Sequence, residues 1–239
     1  MGKLIEARKE LYKYADKKKA KLLRRFFKTG PGEYAQGDIF IGVMVPFIRK
    51  VLKQFSGLPL AQVIKLLRSK IHEERFLALL ILVHQFSNAD AKVKEKIYKA
   101  YLANTKFINN WDLVDLSAPQ IVGGFLIDKN RQILYRLARS PLLWERRIAI
   151  LATFTFIRSG DFVDVFGITQ LLLGDEEDLI HKACGWMLRE AGKRDGQSQE
   201  GFLKRYHKVM PRTMLRYAIE KFPENKRKTY LMKGTDGTF

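Results

Sequence analysis

Asp175-Glu176-Glu177-Asp178-Leu179-Ile180-His181-Lys182-Ala183-Cys184-Gly185-Trp186-Met187-Leu188-Arg189-Glu190-Ala191-Gly192 is a helix legible from its letters alone. Leu179, Ile180, Ala183, Met187 and Ala191 recur at three- and four-residue steps, the spacing of one helix face. Acids crowd the start, where the helix dipole favours negative charge. Lys193 and Arg194 follow the end, beside Gly192 as the expected cap.

The same pattern extends in both directions. Leu4, Leu11, Leu22, Leu23 and Phe26 lie in a Lys/Arg-rich helical region stopped by Thr29-Gly30-Pro31-Gly32. A glycine- and aromatic-rich loop runs from there to Gly42. Helical spacing resumes over residues 46–55, 60–68, 73–86 and 89–102. Ser117-Ala118-Pro119 reads as a helix start, serine capping and proline in the first turn. Further helices are expected over 128–139, 141–158, 161–173, 196–210 and 211–221. No stretch shows the Val/Thr alternation of a strand. The chain is therefore all-α. Many short helices joined by tight turns suggest an α-α superhelix (a solenoid of stacked helix pairs), with an irregular bundle as the alternative. We expect a single domain spanning 1–239, with a basic helical region at 1–28 and a mobile tail at 228–239.

A hydrophobic share of 46% over 239 residues supports a well-buried core rather than disorder. No apolar run reaches the roughly eighteen residues of a membrane span. The longest, residues 76–83, is flanked by charge, so no membrane partner is expected. The N-terminus lacks the apolar core of a secretory signal. The single cysteine, Cys184, permits no internal disulfide, which suits a reducing cytoplasm. It lies on the apolar stripe and is expected to be a buried thiol.

The net charge is +19, concentrated at the two ends. Residues 1–30 hold eleven Lys/Arg against three acids, and residues 187–239 hold thirteen against six. A phosphate backbone is the partner that such an excess favours.

All three tryptophans sit beside charged residues: Trp111 in Asn109-Asn110-Trp111-Asp112-Leu113-Val114-Asp115, Trp144 before Glu145-Arg146-Arg147, and Trp186 before Met187-Leu188-Arg189-Glu190. Trp111 and Asp115 are four apart and share a helix face. An indole above a carboxylate suits a flat, cationic substrate. Asp112 lies about 100° round from Trp111 and is expected to be structural or solvated. Trp144 is expected to pack. His72, His84, His181 and His207 lack metal-ligand spacing, and no phosphate loop ending in Lys-Ser/Thr is present, so neither a metal nor another cofactor is expected.

Over residues 23–214 the chain resembles the AlkD-type DNA alkylation-repair glycosylases, a family built from HEAT-like helical repeats. The resemblance rests on Arg25-Phe26-Phe27-Lys28-Thr29-Gly30, the loop Gly32-Glu33-Tyr34-Ala35-Gln36-Gly37-Asp38, and Phe40-Ile41-Gly42-Val43 through Pro46 and Arg49. It continues in the Trp111–Asp115 spacing, in Trp144-Glu145-Arg146-Arg147 and in Lys182 through Glu190. It implies that Trp111, Asp115 and Trp186 form a catalytic cleft and that Arg147 holds the DNA backbone. The reaction it implies is excision of cationic N3- and N7-alkylated purines from double-stranded DNA; we expect the protein to work without a cofactor and as a monomer. Phe26 and Met44 stand where the best-known member of the family aligns a tyrosine and a glutamine. A non-catalytic DNA-binding protein is the alternative this departure keeps open.

Overall fold

The computed structural model describes residues 2–232. They fold as helices and turns, with one isolated parallel bridge between Ile39 and Ile71. The described residues divide into two compact units, one up to residue 129 and the other from residue 130 onward.

The first unit contains α1 (Gly2–Tyr12), α2 (Lys17–Phe26), α3 (Val45–Phe55), α4 (Leu60–Leu67), α5 (His72–Ser87), α6 (Ala91–Leu102), α7 (Trp111–Ala118) and the short α8 (Gly124–Leu126). Helix α5 is its axis: α3, α4, α6 and α7 all pack on it. Its apolar residues 76–82 are buried almost all round, which is why the run reads as continuous rather than striped. Asp16 caps α2 by accepting from the amides of Lys18 and Lys19 at 2.8 and 3.1 Å. The basic N-terminal region is therefore two helices with a turn between them.

The expected helix start at Ser117 is corrected. Ser117 is buried within α7, where its hydroxyl donates back to the Leu113 carbonyl at 2.5 Å. Pro119 opens a π-helical segment, Pro119–Gly123, that carries the helix on into α8. A wider turn accommodates a proline that has no amide to donate.

The second unit contains α9 (Gln132–Leu137), α10 (Leu143–Arg158), α11 (Val163–Leu171), α12 (Asp178–Gly192), α13 (Gly196–Tyr206), α14 (Arg212–Ala218) and α15 (Glu224–Leu231). Helices α9, α11 and α12 pack on α10, and α13 and α14 pack on α12. The helix at 175–192 begins three residues later than its acids suggest. Asp175 lies outside it and accepts from Arg146 Nε at 2.6 Å, tying the α12 entrance to α10. Gly192 ends α12 without a left-handed cap; the following Lys193 has φ −65°. A Cβ at Gly192 would fall 1.8 Å from Gln199 Oε1, so the Gln199 side chain packs directly over the glycine. Of the expected tail, residues 228–231 complete α15, and 233–239 lie outside the described residues.

Candidate active site

The first turn of α5 carries four consecutive ionisable residues, His72, Glu73, Glu74 and Arg75, all buried. Buried charge is costly unless paired, and each of these has a defined partner. Glu74 accepts from Arg8 Nε at 2.9 Å and from the Tyr12 hydroxyl at 3.1 Å, fastening α1. Glu73 accepts from the backbone amides of Ile41, Gly42 and Val43 at 3.1, 2.8 and 3.2 Å, fastening the loop before α3. Arg75 donates to Asp38 at 2.7 Å and to the Ser69 carbonyl at 3.1 Å. His72 bridges two carboxylates, Asp38 at Nδ1 (3.2 Å) and Asp112 at Nε2 (2.8 Å). Asp112 is thus structural: it ties the first turn of α7 to α5.

Burial alone pulls the His72 pKa down, but the charge and hydrogen bond of Asp112, with the hydrogen bond of Asp38, outweigh it and raise the value. For Asp38, burial pushes upward, and His72, Arg75 and Asn110 together bring it below the usual carboxylate range.

On this base stands an aromatic stack. Phe40 lies on the His72 ring at 4.4 Å, Phe27 on Phe40 at 5.0 Å, and Trp111 on Phe27 at 5.3 Å with 23° between planes. Phe26 meets Trp111 edge-on at 6.1 Å. Asn110 caps α7 by accepting from the Trp111 amide at 2.8 Å. These rings enclose a cleft of about 520 Å³ whose lining includes Phe26, Phe27, Met44, Phe76, Trp111 and Asp115. Trp111 and Asp115 therefore come together as their spacing requires, both half-buried. Phe26 is 63% exposed and Met44 40%, placing apolar side chains at the mouth. Asp115 is close enough to act on Tyr101: burial raises that phenol's pKa and the Asp115 charge raises it further, against the Ser117 hydrogen bond.

The other two expected residues belong to the second unit. Trp186, on α12, is half-buried with its ring 6.0 Å from Phe154, over which Arg158 lies at 4.3 Å. Arg147, on α10, is 5% exposed, and its Nη1 donates to the Leu179 carbonyl at 2.6 Å, linking α10 to α12. Any phosphate that Arg147 holds must reach it past that burial. Trp144 is half-buried. Cys184 is fully buried, and burial pushes its thiol pKa well up, so it is no nucleophile.

Sequence reasoning misses Asp38, His72 and Glu73 as builders of the cleft. The signal is nonetheless present: four ionisable residues in a row directly before a long apolar run cannot all reach water. Among the described residues, no group of three or more His, Cys, Asp or Glu side chains could hold a metal ion, and no helix is long and apolar enough to cross a membrane.

The molecule is thus an all-α protein of successively packed helices, with an aromatic cleft that carries a carboxylate beside an indole. Residues 7–222 match the family described as "DNA alkylation repair enzyme", and the chain belongs to that family. A solved structure titled "Predicted DNA alkylation repair enzyme from Enterococcus faecalis" has the same fold. It aligns with TM-score 0.69 and 18% identity over 88% of this chain and 97% of its own. No curated protein compared with the chain matches it. Family membership gives the protein a role in alkylation repair, with DNA as its partner.

Proposed function

We propose that the protein is a DNA glycosylase that hydrolyses the N-glycosidic bond of cationic N3- and N7-alkylated purines, such as 3-methyladenine and 7-methylguanine, in duplex DNA. The observation that carries this reading is Asp115 beside Trp111 in a cleft walled mostly by apolar and aromatic side chains. Alkylation makes the purine a positive leaving group. The C1′–N bond breaks as its electron pair neutralises that charge, and positive charge develops on the sugar. Asp115 opposes that charge and orients a water whose oxygen bonds to C1′. The water's proton passes to the carboxylate and on to solvent, leaving an abasic site. The aromatic faces favour the cationic base by about 0.5–2 kcal/mol for each ring engaged.

At about 4 Å and an effective dielectric near 20, one carboxylate–cation interaction amounts to roughly 4 kcal/mol, about a thousandfold in rate. That suffices for a base already primed to leave and falls far short for an undamaged one. Glu73 and Asp112 also line the cleft and fasten its walls, Glu73 through three backbone amides and Asp112 through His72. Asp115 shares the Trp111 face, and we assign the chemistry to it. Trp186 is the second unit's candidate for lesion contact, and Arg147 its candidate for the backbone. Trp186→Ala and Arg147→Gln test each separately.

The deciding experiment incubates methylated duplex with wild type and Asp115→Asn and quantifies freed bases by chromatography. Wild type releases 7-methylguanine and 3-methyladenine; Asp115→Asn releases them about a thousandfold more slowly. An unchanged rate in the variant removes the mechanism. The exposed apolar mouth of Phe26 and Met44 favours one second reading, a DNA-binding protein without excision. Duplex binding with no freed base in wild type would establish it.

A further inference from the structure

A second cleft, of about 230 Å³, is joined to the first through one buried hydrogen bond. Asp38 lines it and bonds to His72, which lines the aromatic cleft. Its chemistry is the opposite of its neighbour's. Arg68, Lys70, Arg75 and Lys106 line it against one acid, Asp38, with Asn109 and the Phe107 ring completing the wall. Asp38 is already committed: it accepts from Arg75 at 2.7 Å, His72 at 3.2 Å, Asn109 at 3.3 Å and Asn110 at 3.4 Å.

Arg75 is thereby balanced, whereas the exposed Arg68, Lys70 and Lys106 have no carboxylate in the lining left to neutralise them. Two of these cations converge on one ring. The Arg68 guanidinium lies 5.9 Å, and Lys106 Nζ 5.0 Å, from the Phe107 centroid. Arg68 Nε donates to Asn104 Oδ1 at 2.8 Å, which fixes the base of the guanidinium fork in the cleft lining. Three like charges gathered round a polar hollow repel one another and call for an anion. A fixed guanidinium with two ammonium groups suits a tetrahedral oxyanion.

We propose that this second cleft binds a phosphodiester of the DNA backbone, beside the nucleotide held against Trp111. Asn109 on its wall is two residues from Trp111, so a phosphate seated there sets the register of the strand on α7. The proposal rests on the reading of the first cleft as the site that engages DNA.

The test is equilibrium binding of undamaged duplex across a salt titration, where no bond is cleaved and excision plays no part. The triple variant Arg68→Gln, Lys70→Gln, Lys106→Gln is compared with a charge-matched control on α6, Lys92→Gln, Lys96→Gln, Lys99→Gln. The slope of log K against log salt becomes shallower by about 0.9 for each phosphate the protein no longer neutralises. A flattening by that amount or more in the cleft variant, exceeding the control's, supports the site. Equal slopes in the two variants reduce the effect to overall charge and overturn it. Inorganic phosphate at constant ionic strength, followed by the NMR amide shifts of Gly37 and Asn109, distinguishes the source of the anion. Shifts in wild type with unaltered duplex binding in the triple variant would assign the cleft to free phosphate and overturn the backbone assignment. Loss of excision in Asp115→Asn with duplex binding intact would leave this proposal standing.

Discussion

His72 holds a carboxylate at each ring nitrogen, and only the imidazolium donates through both. Its pKa in the folded protein lies above its ordinary value of 6.5, so the stabilisation it provides is complete below 6.5 and is lost as pH rises through the raised value. Asp38 is shifted the other way. Its contribution is complete above 3.8 and is lost as pH falls through the depressed value. The pair is strongest between those ordinary values. Urea unfolding against pH is expected to show stability falling from 6.5 upward, with that limb missing in His72→Gln. An identical slope in the variant would show that His72 does not titrate with folding. Gly42 is a second single-residue constraint. Its φ is +86°, and a Cβ there would lie 2.0 Å from the Asp16 carbonyl oxygen. Gly42→Ala is expected to cost about 3 kcal/mol by strain and overpacking together, read as a lower urea midpoint.

At the scale of the element, periodicity locates the helices well and their ends poorly. The stripe of α12 and the apolar run of α5 are plain because each repeats locally. Ser117 and Pro119 mislead because a serine hydroxyl bonds equally well back along a helix, and a π-helical turn absorbs the proline. Trp111 and Asp115 are legible at the cleft because four residues fix their common face. Asp38, His72 and Glu73 are not, because their partners lie 30 to 72 residues away and no local spacing encodes such pairs. Gly185 reads from sequence as either tolerated or closely packed, and α14 settles which. A Cβ there would fall 2.4 Å from the Met214 carbonyl oxygen and 2.5 Å from Tyr217 Cβ. Alanine ordinarily improves a helix interior by about 1 kcal/mol. Here overpacking costs about 1–3 kcal/mol and prevails. Gly185→Ala should therefore lower the melting temperature by about 2–4 °C for each kcal/mol of net loss. A rise would show that α14 yields without strain.

For the whole molecule, a charge of +19 and the chemistry proposed for a half-buried cleft should respond to salt in different ways. The exposed cations of α2, Lys17, Lys18, Lys21, Arg24 and Arg25, attract the duplex across solvent, where the screening length is about 10 Å at 0.1 M salt. Each phosphate they neutralise releases counterions, so affinity falls steeply as salt rises. In the proposed mechanism Asp115 acts at contact distance among aromatic side chains, where mobile ions screen much less. Base release measured from about 50 mM salt upward should therefore show KM climbing with a steep logarithmic slope while kcat stays nearly level. If kcat falls in parallel, the carboxylate works in open solvent and the cleft does not shield the reacting sugar. If KM is insensitive, the basic surface is not where the duplex binds.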